Sequence, residues 1–155
     1  MDFRVLPLDV APLQHLFGLS DQALAAFGAE AMVVDQSPGF PCRIGLRDPE
    51  VGARMILLNF EHQPGATPYR SSHAIFIEDG AAPAEPVVNM VDAYLSTRLL
   101  SVRAFDATHH MRDADVCEGN DAAELFRRLL DHPQVSYLHV HTARRGCYLA
   151  RVEAV

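Results

Sequence analysis

The chain contains no lysine; all thirteen of its basic residues are arginine. That absence excludes chemistry that needs a primary amine on a side chain. Pyridoxal-phosphate enzymes of the usual kind and imine-forming aldolases need a Schiff-base lysine. P-loop NTPases and kinases need a lysine against the nucleotide phosphates. The nine glycines are scattered, with no two within two positions of each other. A G-x-G-x-x-G dinucleotide loop and a G-x-S-x-G nucleophile elbow are therefore both missing. Cysteine is scarce, odd in number (Cys42, Cys117, Cys147) and without CxxC spacing, which is not a disulfide framework. The opening residues MDFRVLPLDVAP lack the basic start and apolar run of a signal peptide. No apolar stretch approaches a membrane span. The chain reads as a cytoplasmic protein with reduced thiols.

What is present is a globular composition: 155 residues, 49% hydrophobic, enough for a single compact domain with a sizeable core. The net charge of -7 disfavours nucleic acid and anionic membranes as partners. Strand patterns outnumber helical ones. Phe3 and Val5 alternate in the first. AEAMVVD, CRIGLRD, ARMILLNF, HAIFIE, RLLSVRAFD and RDADVCE follow, with ARMILLNF apolar enough for a central strand. Within CRIGLRD, Cys42, Ile44 and Leu46 fall on one face and Arg43 and Arg47 on the other. Ser20 and Gly28 bracket one helix, SDQALAAFG. Asp121 and Glu124 fit a capping box before a second, predicted over Asp121 to Asp131, with Leu125, Phe126 and Leu129 as its apolar stripe. The fold class is α+β: a largely antiparallel sheet with two or three helices.

The segments PGFPCRIGL, LLNFEHQP running into TPYRSSHAIF, RLLSVRAFD and YLHVHTARRGCYLARV together resemble a small bacterial family, the domain of unknown function numbered twelve-oh-three. The resemblance covers most of the chain. It implies no catalytic role, because the family has no established reaction.

The closing segment YLHVHTARRGCYLARV is predicted to be a β-hairpin. ARRG makes the turn, and Gly146 is free to take positive φ. Leu138 and Val140 then point to the core. His139 and His141 share the opposite, polar face with Val135 and Tyr137. Two imidazoles on one strand face can hold a metal such as zinc if a third ligand joins them. Cys147, His62 and His73 are the candidates. The competing reading is two hydrogen-bonded histidines on a solvent-facing or half-buried sheet face.

The stretch from Glu61 to His73 concentrates His62, Tyr69, Arg70 and His73 in what reads as an irregular loop, where binding groups usually lie. Arg70 suits a carboxylate or phosphate, and either histidine suits a general base. The bland alternative is a loop whose polar side chains satisfy its own backbone. Arg43 and Arg103 lie in apolar strands and need partners if buried; Asp106 and Asp115 are the carboxylates proposed for them. Arg144 and Arg145 read as solvated turn residues. A cysteine nucleophile, Cys42 or Cys147 beside a histidine, has no feature that would lower its thiol pKa.

The leading functional expectation is a polar pocket for a small anionic molecule, formed on one sheet face and roofed by the Glu61–His73 loop. Its ligand-binding candidates are His62, Tyr69, Arg70, His73, Arg103, His139, His141 and Cys147. The alternatives are an interaction module or homodimer without chemistry, and zinc binding through His139 and His141. No catalytic residue and no cofactor is assigned.

Overall fold

Alternating apolar and polar residues build two antiparallel sheets. The computed structural model describes residues 1–155. Its strands are β1 (Phe3–Leu6), β2 (Glu30–Val33), β3 (Arg54–Gln63), β4 (Ser71–Glu78), β5 (Leu99–Phe105), β6 (Met111–Glu118), β7 (Tyr137–Thr142) and β8 (Tyr148–Ala154). The α-helices are α1 (Asp21–Ala25), α2 (Ala93–Ser96) and α3 (Ala122–Leu130), and 3-10 turns cover Ala11–Leu16 and Gly119–Asp121. The larger sheet has the order β1-β8-β7-β5-β6 and the smaller β2-β3-β4. The α+β class with antiparallel sheets is as the sequence implies. No helix is long and apolar enough to cross a membrane.

One face of the larger sheet packs on α3. Leu138 and Val140 of β7 join Val102, Phe3 and Val152 against Leu125, Phe126 and Leu129. Phe3 meets Phe126 edge to face at 5.4 Å, a geometry the ring quadrupoles favour. Gly119, at the entry to α3, is required by packing. A Cβ there would lie 2.1 Å from the Leu95 carbonyl oxygen, far inside contact distance.

The other face of the larger sheet meets the smaller one through rings. Phe60 and His62 of β3 lie 6.0 and 5.6 Å from Tyr148 of β8, centroid to centroid. Strand β7 is consequently buried on both faces, from Tyr137 to His141. The expected hairpin is present, with Gly146 at φ 78°. Its histidine face, however, does not look to solvent: the smaller sheet covers it.

Three local expectations are corrected. CRIGLRD is not a strand. Cys42 and Arg47 close a turn by a single bridge, with Leu46 at φ 47°; the alternation of Cys42, Ile44 and Leu46 imitated a strand, while all three are buried in a turn. The Glu61–His73 segment is not irregular throughout. β3 runs to Gln63 and β4 resumes at Ser71, leaving only 64–70 outside the ladder. Asp121 does not cap α3 with its side chain. The chain enters through the 3-10 turn, so Asp121 has φ −96°, ψ 1° rather than the extended backbone of a capping residue.

Candidate metal centre

The register of the larger sheet sets the site. Across β5, β7 and β8, Arg103, His139 and Arg151 form one row, and Ser101, His141 and Tyr148 form the next. Directly opposed residues share a face, so both histidines, Arg103 and Tyr148 lie together between the sheets. Two bulges frame this patch. On β8 an extra residue, Leu149, stands between the partners of Val140 and His141. On β3 the register slips between Phe60 and Gln63. Bulges re-aim side chains; here two consecutive residues, His62 and Gln63, are both buried. His62 reaches the histidines of β7, and Gln63 donates from Nε2 to the Tyr137 hydroxyl at 2.9 Å.

His62, His139 and His141 each offer a nitrogen, and these nitrogens all lie within 4.8 Å of one another. Ring centroids are 4.9 Å apart for His62 and His141, 6.2 Å for His62 and His139, and 6.3 Å for His139 and His141. Tyr148 touches all three: it stacks on His62 with 7° between the planes and meets His139 and His141 edge-on. Phe105 and Tyr137 close the wall beside His139.

Each ring has one buried nitrogen without a hydrogen-bond partner: Nδ1 of His62, Nδ1 of His139 and Nε2 of His141. Leaving such an atom unsatisfied costs about 1–3 kcal/mol, and three in one cluster call for an explanation. His141 is the most informative. Its Nδ1 lies 2.9 Å from the Gly146 carbonyl oxygen. A carbonyl only accepts, so Nδ1 carries the proton and Nε2 carries the free lone pair. A metal-bound histidine is held in this way, its outer N–H fixed by a carbonyl.

The rings are uncharged at neutral pH. Burial first, then the Arg103 charge, pushes His62 down to about 4 and His141 down to about 3. Burial first, then the neighbouring His141, pushes His139 down to about 2. No carboxylate contributes to any of these shifts. The surroundings thus favour neutral imidazoles, which is the protonation state that ligates a cation. Tetrahedral coordination at bond lengths of about 2.0–2.1 Å places ligand nitrogens about 3.4 Å apart, so coordination would draw the rings inward.

The other expected residues divide clearly. Arg103 is half-buried beside His139, without a carboxylate partner. Asp106 binds Arg112, the backbone amides of Thr108 and His110, and the Thr108 hydroxyl. Those bonds, the His110 amide foremost, hold its carboxyl well below the usual range. Asp115 binds Arg128. Neither serves Arg43 or Arg103, because their short-range partners absorb them. Arg70 is exposed and paired with Glu61 at 2.8 Å. Tyr69 is 40% exposed, against Phe105 and His110. His73 holds its Nδ1 3.0 Å from the Ala74 carbonyl oxygen. It and Cys147 line a neighbouring cleft, outside the cluster. Of the three candidates for a third ligand, His62 is the one brought to His139 and His141. Gln63 counted only as one polar residue of the Glu61–His73 segment, and Tyr148 only as a strand residue. Nothing local marks them, since their roles arise from the docking of two sheets.

The fold and the cluster define a class: an α+β protein with a buried, uncharged three-histidine set between two antiparallel sheets. The chain belongs to the family described as protein of unknown function (DUF1203), whose model matches residues 39–154. That span contains the three histidines and Arg103. No curated protein and no solved structure matches the chain.

Proposed function

We propose that this protein binds a divalent first-row transition metal, zinc foremost, through His62, His139 and His141, and that a small anionic oxygen ligand completes the site beside Arg103. One observation carries the reading: three buried histidines, each with an unpartnered ring nitrogen, each offer a nitrogen to a set lying within 4.8 Å of one another. Imidazole nitrogen suits zinc, copper, iron and nickel better than magnesium or calcium. Three protein ligands leave one position of a tetrahedral zinc free. The anion follows from charge. Three neutral imidazoles leave the metal's two positive charges uncompensated, and Arg103 adds a third. With no carboxylate acting on the rings, a hydroxide, carboxylate or phosphate oxygen is the group that balances the site. This joins the anionic-ligand and metal expectations of the sequence into one site.

The test is metal analysis of tag-free protein after dialysis against zinc and removal of the excess. The expected result is about one zinc per chain, set by a single three-ligand site. Substituting His62, His139 or His141 by Ala, in variants that stay folded by circular dichroism, should remove it. Cys147→Ser and His73→Ala should keep it. A wild-type protein that retains no zinc, or a triple histidine variant that retains it all, would sink the reading.

A further inference from the structure

A second site lies apart from the histidines. A cleft of about 840 Å³ opens on the molecule, lined by Arg43, His73, Leu57, Phe76, Arg144 and Arg145 among others, and by none of the three clustered histidines. Arg43 is the unusual member. It is 2% exposed. Its Nε donates to the Tyr148 carbonyl at 2.8 Å and its Nη1 to the Pro41 carbonyl at 2.6 Å. Nη2 is the guanidinium nitrogen for which the fold supplies no acceptor. No carboxylate pairs with it. Burial works against its charge, and the nearby Arg98 adds like-charge repulsion. A buried arginine without a counter-charge is costly unless something anionic completes it.

The mouth of the cleft repeats the pattern. Arg144 and Arg145 are exposed and make no ion pair, whereas Arg98, also on the lining, is bound to Asp48. Glu118 is the one acidic residue of the lining. On a chain of net charge -7, a concave surface with three uncommitted arginines runs against the overall field. Leu57, Phe76 and Met32 give the wall an apolar part, beside the polar Gln36, Thr97 and Thr142. The volume is that of ligand sites, about 300–1,000 Å³, which pair apolar walls with a few fixed polar groups.

We infer that this cleft is a binding site for an amphipathic organic anion, its carboxylate or phosphate head held by Arg43 with Arg144 and Arg145 at the rim, and its apolar body on Leu57 and Phe76. Both N–H groups of Nη2 and the second N–H of Nη1 are the donors left to Arg43, because Nε and one N–H of Nη1 are held by carbonyls. Those two bonds also fix the guanidinium before the ligand arrives, which lowers the ordering cost of binding. The inference does not depend on a metal.

Isothermal titration with 1-naphthyl phosphate, 1-naphthoate, 1-naphthol and inorganic phosphate tests it, on chelator-treated protein so that the histidine cluster is empty of metal. One or both naphthyl anions should bind, and the stronger of the two identifies the head group. Neutral 1-naphthol and inorganic phosphate should each bind about tenfold more weakly or worse, lacking one half of the recognition. Arg43→Gln should abolish binding. Because Arg43 also supports the backbone, the exposed double variant Arg144→Glu, Arg145→Glu provides an arm that leaves the core untouched; it should weaken binding about tenfold through rim charge. Equal binding of 1-naphthol and the anions, unchanged affinity in the double variant, no binding of any probe at millimolar concentration, or binding that appears only when zinc is restored would each overturn the cleft. The last outcome would place the anion at the histidine centre and leave the metal reading standing.

Discussion

Strand β7 carries two buried faces with opposite chemistry. Toward α3 it presents Leu138 and Val140, both fully buried among apolar side chains. Toward β3 it presents Tyr137, His139 and His141, buried to a similar degree among rings, Arg103 and Arg151. The apolar face stabilises the fold by area removed from water. The polar face buries nitrogens that gain nothing from that burial and lack partners. Equal burial therefore does not mean equal purpose: one face holds the domain together, and the other is built at a cost in stability that binding would recover.

Several measurements sharpen or break this contrast. The largest effect belongs to the apolar face. Phe126→Ala should cost about 3–5 kcal/mol in urea unfolding, the usual range for a fully buried aromatic, and the loss should be the same with and without zinc. Zinc itself should act through the polar face alone. At about a thousandfold excess over its dissociation constant, it should stabilise the wild type by about 4 kcal/mol, read as a shift of the unfolding midpoint.

Acid should also act through the polar face. In metal-free protein the folded rings titrate at about 4, 2 and 3, against about 6.5 in the unfolded chain. Between pH 6.5 and 4 the unfolded state therefore binds more protons than the folded one. This contribution to stability is full above pH 6.5 and declines as pH falls through that window. A flat stability profile from pH 7 to 4.5 would show that the rings are not buried neutral. The smallest effect is the most discriminating. His139→Leu replaces an unpartnered polar ring by an apolar side chain, so metal-free stability should stay within about 1 kcal/mol of wild type, while the zinc shift disappears. A large loss of metal-free stability would mean that His139 serves the fold.

Much of the apolar face was legible in the sequence. Leu125, Phe126 and Leu129 recur at helical spacing, and α3 buries all three. The final hairpin was legible too, because YLHVHT and CYLARV alternate around a glycine-containing turn. The pairing of His139 with His141 follows from a spacing of two on a strand. The facing of that pair was legible too, with Leu138 and Val140 on the core side and the histidines opposite; that a sheet strand, β3, rather than a loop would cover the histidines depends on the docking of two sheets and was not. The choice of His62 over His73 and Cys147 rests on the β3 bulge and on contacts about eighty residues away in sequence, which no local pattern encodes. Arg43 was placed on a strand because Cys42, Ile44 and Leu46 alternate; its burial in a turn is equally a long-range result.

The central claim is that three imidazoles share one metal ion. Zinc K-edge X-ray absorption on the zinc-loaded, tag-free protein measures that shell directly. The account predicts about three imidazole nitrogens at about 2.0–2.1 Å with one oxygen donor, and no sulfur near about 2.3 Å. A shell of oxygen alone, or one containing sulfur from Cys147, would contradict it.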